Sequence, residues 1–266
     1  MTDIVRGRTA VMAAAAVAFL AGSAGTAAAQ ETWTWNRGLA AGQTLEIKGI
    51  NGAIRAQPAS GGEVRVTAVK TARRGNVSTV NMEVVEHAGG VTICAVYPTP
   101  NSARRPNECR PGSEGSMSVQ NNDVQVEFTV HVPRGVNFVA RTVNGAVQAR
   151  DLTGDVEART VNGAIDVVTA GRARGGTVNG AVNVTMGRAD WDISFETVNG
   201  AVTLYLPDNI NANVRARTVN GGIETDFPLT VQGRFGRRSI EGTLGSGGRS
   251  LEVSTVNGGI FLRRAR

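Results

Sequence analysis

Few side chains in this sequence are spaced for chemistry. It has two histidines, His87 and His131, and its closest carboxylate pair, Asp190 and Asp192, flanks Trp191. Proton transfer or metal binding requires several such groups to converge, and no His-x-x-x-His, Cys-x-x-Cys or Gly-x-Ser-x-Gly motif stands in a usable context. The Asp-Trp-Asp triplet could bind a cation or a sugar, or form a solvated rim beside a packed tryptophan. We predict no catalytic, cofactor or metal residues and a protein that is not an enzyme.

Residues 1–29 have the pattern of a secretory signal peptide. A basic start precedes an apolar run over 11–20 and three alanines before Gln30. The alternative is a membrane anchor, but the run is shorter than the ~20 apolar residues that span a bilayer. We predict cleavage between Ala29 and Gln30 and a periplasmic or secreted bacterial protein.

The only two cysteines, Cys94 and Cys109, lie close together in the sequence. In an exported chain such a pair predicts a disulfide bond, with two free thiols as the alternative. The bond would hold the loop from Pro98 to Gly115, which is rich in Pro, Asn, Ser and Arg. Closing a loop of this size contributes about 3 kcal/mol in the chain-entropy model.

Positive charge is concentrated at the C-terminal end. From Thr230 onward seven arginines face two glutamates, so most of the chain's net charge of +6 lies there. Long-range attraction to an anionic partner would act at this end, although a solvated cap that keeps the protein soluble has the same composition. The candidate anionic-partner patch comprises Arg234, Arg237, Arg238, Arg263 and Arg264.

A short phrase, Thr-Val-Asn-Gly, recurs through the second half of the chain. Its glycines, with a worn copy at Ser239–Gly242, are 16 to 21 residues apart. A repeat near 20 residues predicts one small unit stacked many times into a solenoid. The six full copies begin at Thr142, Thr160, Thr177, Thr197, Thr218 and Thr255.

Two all-β arrangements can explain the repeat. Asn-Gly between alternating apolar residues is a strong hairpin signal, but a hairpin would turn the valine after each threonine away from the core. If the phrase is a corner instead, the apolar positions four before, one after and five after the threonine all turn inward, as Val156, Val161 and Ile165 would around Thr160. We favour corners, with each coil about 4.8 Å above the last in parallel register.

The asparagine and the glycine of each corner are predicted to have separate roles. Stacked asparagines can hydrogen-bond from coil to coil, as in amide ladders. Glycine suits a bend that needs positive φ or a close approach of backbones. The predicted corner residues are Asn144, Gly145, Asn162, Gly163, Asn179, Gly180, Asn199, Gly200, Asn220, Gly221, Asn257 and Gly258.

The first half of the mature chain has alternating apolar and polar runs, the pattern of half-buried strands. We divide the mature chain into an N-terminal β region, 30–135, with the disulfide loop, and the solenoid repeats, 136–266. The two parts could form one domain, since 50–54 looks like an outlying repeat copy. The predicted fold class is all-β: a single-stranded β-helix or solenoid of about seven Asn-Gly coils after an irregular β-strand region. The alternating runs are Trp33–Trp35, Leu45–Ile47, Val64–Ala68, Met82–Val84, Val91–Ile93 and Val124–Val130.

These residues resemble the exported "putative adhesin" family of β-strand repeat domains, also described as toastrack-like. The resemblance is carried by Gly42–Ile54, Val64–Lys70 and Val132–Val136, leading into the Asn-Gly repeats. It implies a solenoid-like domain on the outer side of a bacterial cytoplasmic membrane. Relatives are tied to envelope stress or surface attachment, and the family supplies no catalytic residues.

The favoured function is therefore a non-catalytic envelope protein, an adhesin-like binding or scaffold module. Its partner would be an envelope component such as an anionic glycan or another protein, and not a nucleic acid; the mature chain shows no transmembrane segment. One alternative is a carbohydrate-active enzyme on a β-helix, which requires acidic or basic residues converging across coils. The other is a self-associating filament or scaffold subunit.

Overall fold

The computed structural model describes residues 29–112, 117–188, 190–231 and 238–265. Within these ranges the regular structure is β-strand, apart from one 3-10 turn at Val77–Thr79, and the predicted all-β class is confirmed. The strands are β1 (Ala29–Gly38), β2 (Thr44–Lys48), β3 (Ile54–Pro58), β4 (Glu63–Ala72), β5 (Asn81–His87), β6 (Gly90–Val96), β7 (Gln125–Val132), β8 (Asn137–Arg141), β9 (Val147–Leu152), β10 (Val156–Arg159), β11 (Ile165–Thr169), β12 (Ala173–Gly176), β13 (Val182–Met186), β14 (Ile193–Glu196), β15 (Val202–Leu206), β16 (Ala212–Asn220), β17 (Ile223–Thr225), β18 (Thr230–Val231), β19 (Ser239–Leu244), β20 (Arg249–Asn257) and β21 (Ile260–Arg264).

The strands form two facing sheets. The ten-stranded sheet has the order β1-β4-β7-β3-β9-β11-β13-β15-β21-β17, and the eleven-stranded sheet has the order β18-β19-β16-β20-β14-β12-β10-β8-β2-β6-β5. The middle of each sheet is parallel, while antiparallel strands lie toward the ends, as in the pairs β1–β4 and β5–β6. Strands from before and after residue 135 lie in both sheets, and one hydrophobic core cluster spans the two parts.

The Asn-Gly phrases are corners between the two sheets. The strand before each phrase lies in the eleven-stranded sheet, and the strand after it lies in the ten-stranded sheet. The corner asparagines form parallel bridges with one another, whereas stacked hairpins would pair antiparallel strands. The corner arrangement is therefore confirmed. The early copy at Asn51 joins the same column, next to Asn144.

The order of the stack differs from the order of the sequence. We expected each coil to lie on the one before it, but β20 lies between β14 and β16, and β21 lies between β15 and β17. The last repeat in the sequence is thus inserted between the coils that begin at Thr197 and Thr218.

The worn copy is not a corner, contrary to expectation. Residues 239–242 belong to β19, which runs antiparallel to β16. Glu241 stands where the other copies have asparagine, and a carboxylate has no amide hydrogens to donate along the column. Instead, Glu241 forms ion pairs with Arg215 and Arg217 of the neighbouring strand. The seven corners of the stack therefore comprise the six full copies and the early copy at Asn51.

One predicted core column is wrong. Apolar side chains four residues before and five after each threonine are mostly buried, as expected, but the valine that follows the threonine faces outward. The threonine takes the inner place, with 4–6% of its surface exposed, because its hydroxyl donates to a carbonyl of the neighbouring coil, as from Thr160 to Gly145 at 2.9 Å. The most exposed valines of this column are Val161 (37%), Val178 (39%), Val198 (38%), Val256 (37%) and Val219 (53%).

Candidate functional site

A ladder of seven asparagines runs along one edge of the stack. Except for Asn51 at one end, each Nδ2 donates to the Oδ1 of the preceding member at 2.7–2.9 Å, so every inner member donates one such bond and accepts one. Such repetition fixes the register of the coils at this edge. In stack order the ladder is Asn51, Asn144, Asn162, Asn179, Asn199, Asn257 and Asn220.

The corner glycines allow the backbones of neighbouring coils to touch. A Cβ atom on Gly180 would lie 2.1 Å from the carbonyl oxygen of Gly163, and the other predicted corner glycines face the same contact at 1.9–2.1 Å. None of these six has positive φ. Close approach is thus the reason for glycine, while positive φ is found at the early corner, Gly52, at 129°.

Beside the ladder lies a groove of about 590 Å³. The outward valines contribute its apolar lining. The side chains that precede each threonine contribute the polar lining, including Arg159, Glu196 and Ser254. Gly176 occupies the same register position between Arg159 and Glu196, and the side chain of Glu196 lies close to the place that a Cβ atom on Gly176 would take. The valine groove is the name we use for this feature. Its apolar residues are Val161, Val178, Val198 and Val256.

One end of the valine groove meets a buried carboxylate held by three arginines. Glu157 is 7% exposed and accepts charged hydrogen bonds from Arg141 at 2.6 Å, Arg159 at 3.2 Å and Arg174 at 2.8 Å. Burial alone would raise the pKa of Glu157, but the positive charges of Arg141 and Arg174 and the hydrogen bonds outweigh it, so the pKa is lowered. Glu157 is therefore ionised at neutral pH.

The ion-pair network continues under the disulfide loop. Arg141 also bonds Glu46 at 3.1 Å, and Glu46 accepts from the backbone N–H of Gly112 in the loop. Lys48 is buried beside them and donates to the Gly112 carbonyl at 2.5 Å. Burial lowers the pKa of Lys48 although Glu46 opposes the shift. A disulfide joins Cys94 to Cys109 and holds the loop over these groups.

The predicted arginine patch is partly neutralised. Arg263 bonds Glu224 at 2.6 Å and Asp226 at 2.9 Å, and Arg264 bonds Asp208 at 2.8 Å. These pairs reduce the positive field that the C-terminal arginines can present to an anion. Arg238 is exposed. Two other members of the patch, Arg234 and Arg237, lie outside the described residues, as does the predicted signal segment before Ala29.

The family of the chain follows from its sequence. A family model described as Toastrack DUF4097 matches residues 43–263. The chain belongs to this family. A comparison with curated proteins finds no match.

Solved structures similar to this Toastrack chain share little sequence with it. A putative cell adhesion protein from Clostridium sporogenes is 14% identical, with 88% of this chain and 100% of that chain covered and a TM-score of 0.45. A putative adhesin from Bacteroides fragilis is 9% identical, with coverages of 87% and 97% and a TM-score of 0.29. A third, from Parabacteroides distasonis, is 11% identical, with the same coverages and a TM-score of 0.23.

The other chemistry-bearing residues of this Toastrack chain are dispersed. Asp192 accepts from the Ser250 backbone, and the ring of Trp191 packs on the core under Arg172, whose guanidinium carbon is 4.4 Å from the ring centre. His131 contacts Gln57 on the outer face of the ten-stranded sheet. Across the described ranges, no three His, Cys, Asp or Glu side chains are grouped to hold a metal ion. Nor do those ranges contain a helix of membrane-spanning length and apolarity.

Sequence reasoning missed the valine groove and the buried Glu157. The repeat pattern contained the valine column but placed it in the core. Glu157 and the arginines around it come from three different repeats. Arg159 follows Glu157 by two residues, whereas Arg141 and Arg174 belong to the repeats on either side. The recurrence of arginine at the position before threonine, in Arg141, Arg159 and Arg217, was the available signal.

Proposed function

We propose that the protein is a non-catalytic, adhesin-like binding module of the bacterial cell envelope that holds an elongated partner in the valine groove. The observation that carries this proposal is the outward valine column. Four valines at 37–39% exposure lie in register along one groove, although the repeat buries most of its other apolar positions. Aligned exposed apolar side chains with a polar margin are typical of interaction sites, and stacked repeats offer long binding surfaces.

The charges near the groove support binding rather than catalysis. A general acid at neutral pH needs a carboxyl group whose pKa is raised. The pKa of Glu157 is lowered, and its two oxygens are engaged by three arginines. The carboxylate that lines the groove itself, Glu196, has a side chain that is 63% exposed and lies 3.6 Å from Arg159. We therefore favour a binding module over a carbohydrate-active enzyme on the same scaffold.

An exported location is part of the proposal. The signal-like sequence over 1–29 supports it. The disulfide between Cys94 and Cys109 also supports it, because such bonds persist in oxidising compartments. N-terminal sequencing of the protein from the periplasm or medium tests this part, and we expect the chain to begin at Gln30.

Binding of purified residues 30–266 to isolated cell-envelope fragments tests the groove. We expect Val178→Lys to weaken co-sedimentation at least about tenfold, because a charge enters the apolar lining. The matched control is Tyr205→Lys. Tyr205 is also 39% exposed, but it lies in β15 of the ten-stranded sheet and does not line the groove. Equal binding by wild type and Val178→Lys would remove the groove from the proposal.

A further inference from the structure

The two-sheet stack ends in an open edge at β1. This strand has ten residues and pairs with β4 over its whole length without a register break. In the described part of the chain its other edge has no strand beside it. At the opposite end of the ten-stranded sheet β17 has three residues, and the eleven-stranded sheet ends there in β18 with two. Short terminal strands protect a sheet from further pairing, whereas a long one is a template for it.

The sequence of β1 offers its edge little protection, since its two charged side chains, Glu31 and Arg37, form ion pairs with Lys70 and Glu86 within the same molecule. The strand contains no proline and no lysine, two residues that block edge pairing. Its inner face carries Trp33 and Trp35, which pack against the core but stay half-exposed. Met82 and Val84 of β5 are half-exposed at the same end of the eleven-stranded sheet. The core is therefore incompletely covered at this end.

We propose that two copies of the protein join through β1, antiparallel, about a two-fold axis at Thr34. Thr34 is the middle residue of Gln30–Gly38, the part of β1 that remains after cleavage at the predicted site. An isologous interface of this kind requires a strand that complements itself.

The residues of β1 complement one another in this register. Trp33 lies opposite Trp35 of the second copy, and Glu31 lies opposite Arg37 of the second copy. Aromatic pairs and opposite charges directly across antiparallel strands are stabilising. Moving the register by two residues either way places Glu31 against Trp35 or Trp33 against Arg37, so only the register centred on Thr34 satisfies both pairs.

The same axis would also close the open core. A two-fold axis perpendicular to the ten-stranded sheet keeps both eleven-stranded sheets on one side, so the two β5 strands approach each other as well. The half-exposed Trp33, Trp35, Met82 and Val84 would then face their counterparts and lose contact with water. Arg37 already joins the two sheets at this end through its ion pair with Glu86. This interface is separate from the valine groove, and its test does not depend on the proposed function.

Cysteine cross-linking of residues 30–266 tests the register. The two native cysteines are bonded to each other, so a Thr34→Cys variant carries one free thiol. In the proposed dimer the two copies of residue 34 have Cα atoms about 4.5–5.5 Å apart, within disulfide range. Thr32→Cys is the matched control, since its copies are offset by about 13 Å along the strands. We expect a disulfide-linked dimer from Thr34→Cys alone; no dimer, or equal cross-linking of both variants, overturns the proposal.

Charge substitution at the axis gives a second, reversible test by sedimentation equilibrium. We expect wild type to be a dimer and both Thr34→Lys and Thr34→Asp to dimerise at least about tenfold more weakly, because like charges meet at the axis. An equimolar mixture of the two variants should recover the dimer. Thr34 is exposed, so both variants should keep the circular dichroism spectrum of the wild type. A monomeric wild type, a species larger than a dimer, or a mixture that stays monomeric contradicts the inference.

Discussion

At the scale of single residues, each corner of the stack combines two side-chain requirements. The asparagine provides a donor and an acceptor along the stack, and the glycine removes the atom that would collide with the next coil. Both requirements come from the neighbouring coil rather than from the local turn. The sequence therefore predicts that both residues recur, but it does not distinguish close approach from positive φ as the need for glycine.

Alanine substitution tests whether the close approach of neighbouring coils requires glycine at the corner. Gly180→Ala should destabilise the protein by about 3 kcal/mol or more, because its Cβ would lie 2.1 Å from a backbone oxygen that cannot move without shifting a coil. Gly222→Ala is the control, because Gly222 follows the corner at Asn220 and has open space around its Cβ position. Urea unfolding measures both. Similar losses for the two variants would show that the contact between coils is unimportant.

Glu157 gives the protein a pH-dependent contribution to stability. Because its folded pKa is lowered, this contribution is complete above the ordinary glutamate pKa, about 4.3, and is lost as pH falls through the folded pKa. Glu157→Gln should cost about 2 kcal/mol at pH 7, since the partly buried Arg141 loses one of its two counter-charges and keeps only Glu46. The difference from wild type should shrink as pH is lowered from 7 to about 3. Glu196→Gln, at an exposed pair, should cost less than about 0.5 kcal/mol at either pH; a difference that stays constant with pH would contradict this assignment.

At the scale of the elements, the strands were easier to predict than the way their side chains face at the corners. All six alternating runs of the first half lie in or overlap strands, because period-two alternation is a local signal. The corner reverses that expectation. Thr160 is buried and Val161 exposed, because the threonine hydroxyl finds a carbonyl in the neighbouring coil. The spacing of apolar residues carries no information about a carbonyl in another coil, so the valine groove could not be predicted from that spacing.

Removal of the disulfide bond should loosen the loop that it closes and leave the rest of the stack unchanged. Replacing Cys94 and Cys109 by alanine should cost about 3 kcal/mol, since the bond closes a loop with a sequence separation of 15. Hydrogen exchange should quicken over 97–112, which includes Gly112 above Lys48, and stay unchanged over 156–206 in the middle of the stack. Wild type treated with a reductant should behave as the double variant does. Faster exchange throughout both ranges would show that the loop supports the whole stack.

At the scale of the whole molecule, similarity among the repeats hides their order. Each full copy carries the same corner, so any coil could in principle stack on any other. The structure places the last copy inside the stack, where β20 contacts β14 and β16 and β21 contacts β15 and β17. This insertion depends on pairing between strands that are far apart in the sequence, and the spacing of the repeats does not predict it.

Truncation distinguishes this order from a simple linear array. Removing residues 249–266 deletes an internal strand from each sheet, so the thermal midpoint should fall by at least about 10 °C. Removing residues 29–38 deletes only the edge strand β1 and should lower the midpoint less. In a linear array of repeats the loss of a terminal unit removes contacts with only one neighbouring unit. A C-terminal truncation that melts near the wild-type midpoint would argue against the inserted coil.

The inserted coil also determines the stage of synthesis at which folding can be completed. A chain that leaves the ribosome or a translocation channel amino end first can assemble its coils in turn as far as Thr197. The next segment, 212–225, must then wait, because the strands that join it to the rest of the molecule are the last to emerge. The native state can therefore be completed only after synthesis has finished, when the final two strands, β20 and β21, pair with the strands on either side of them.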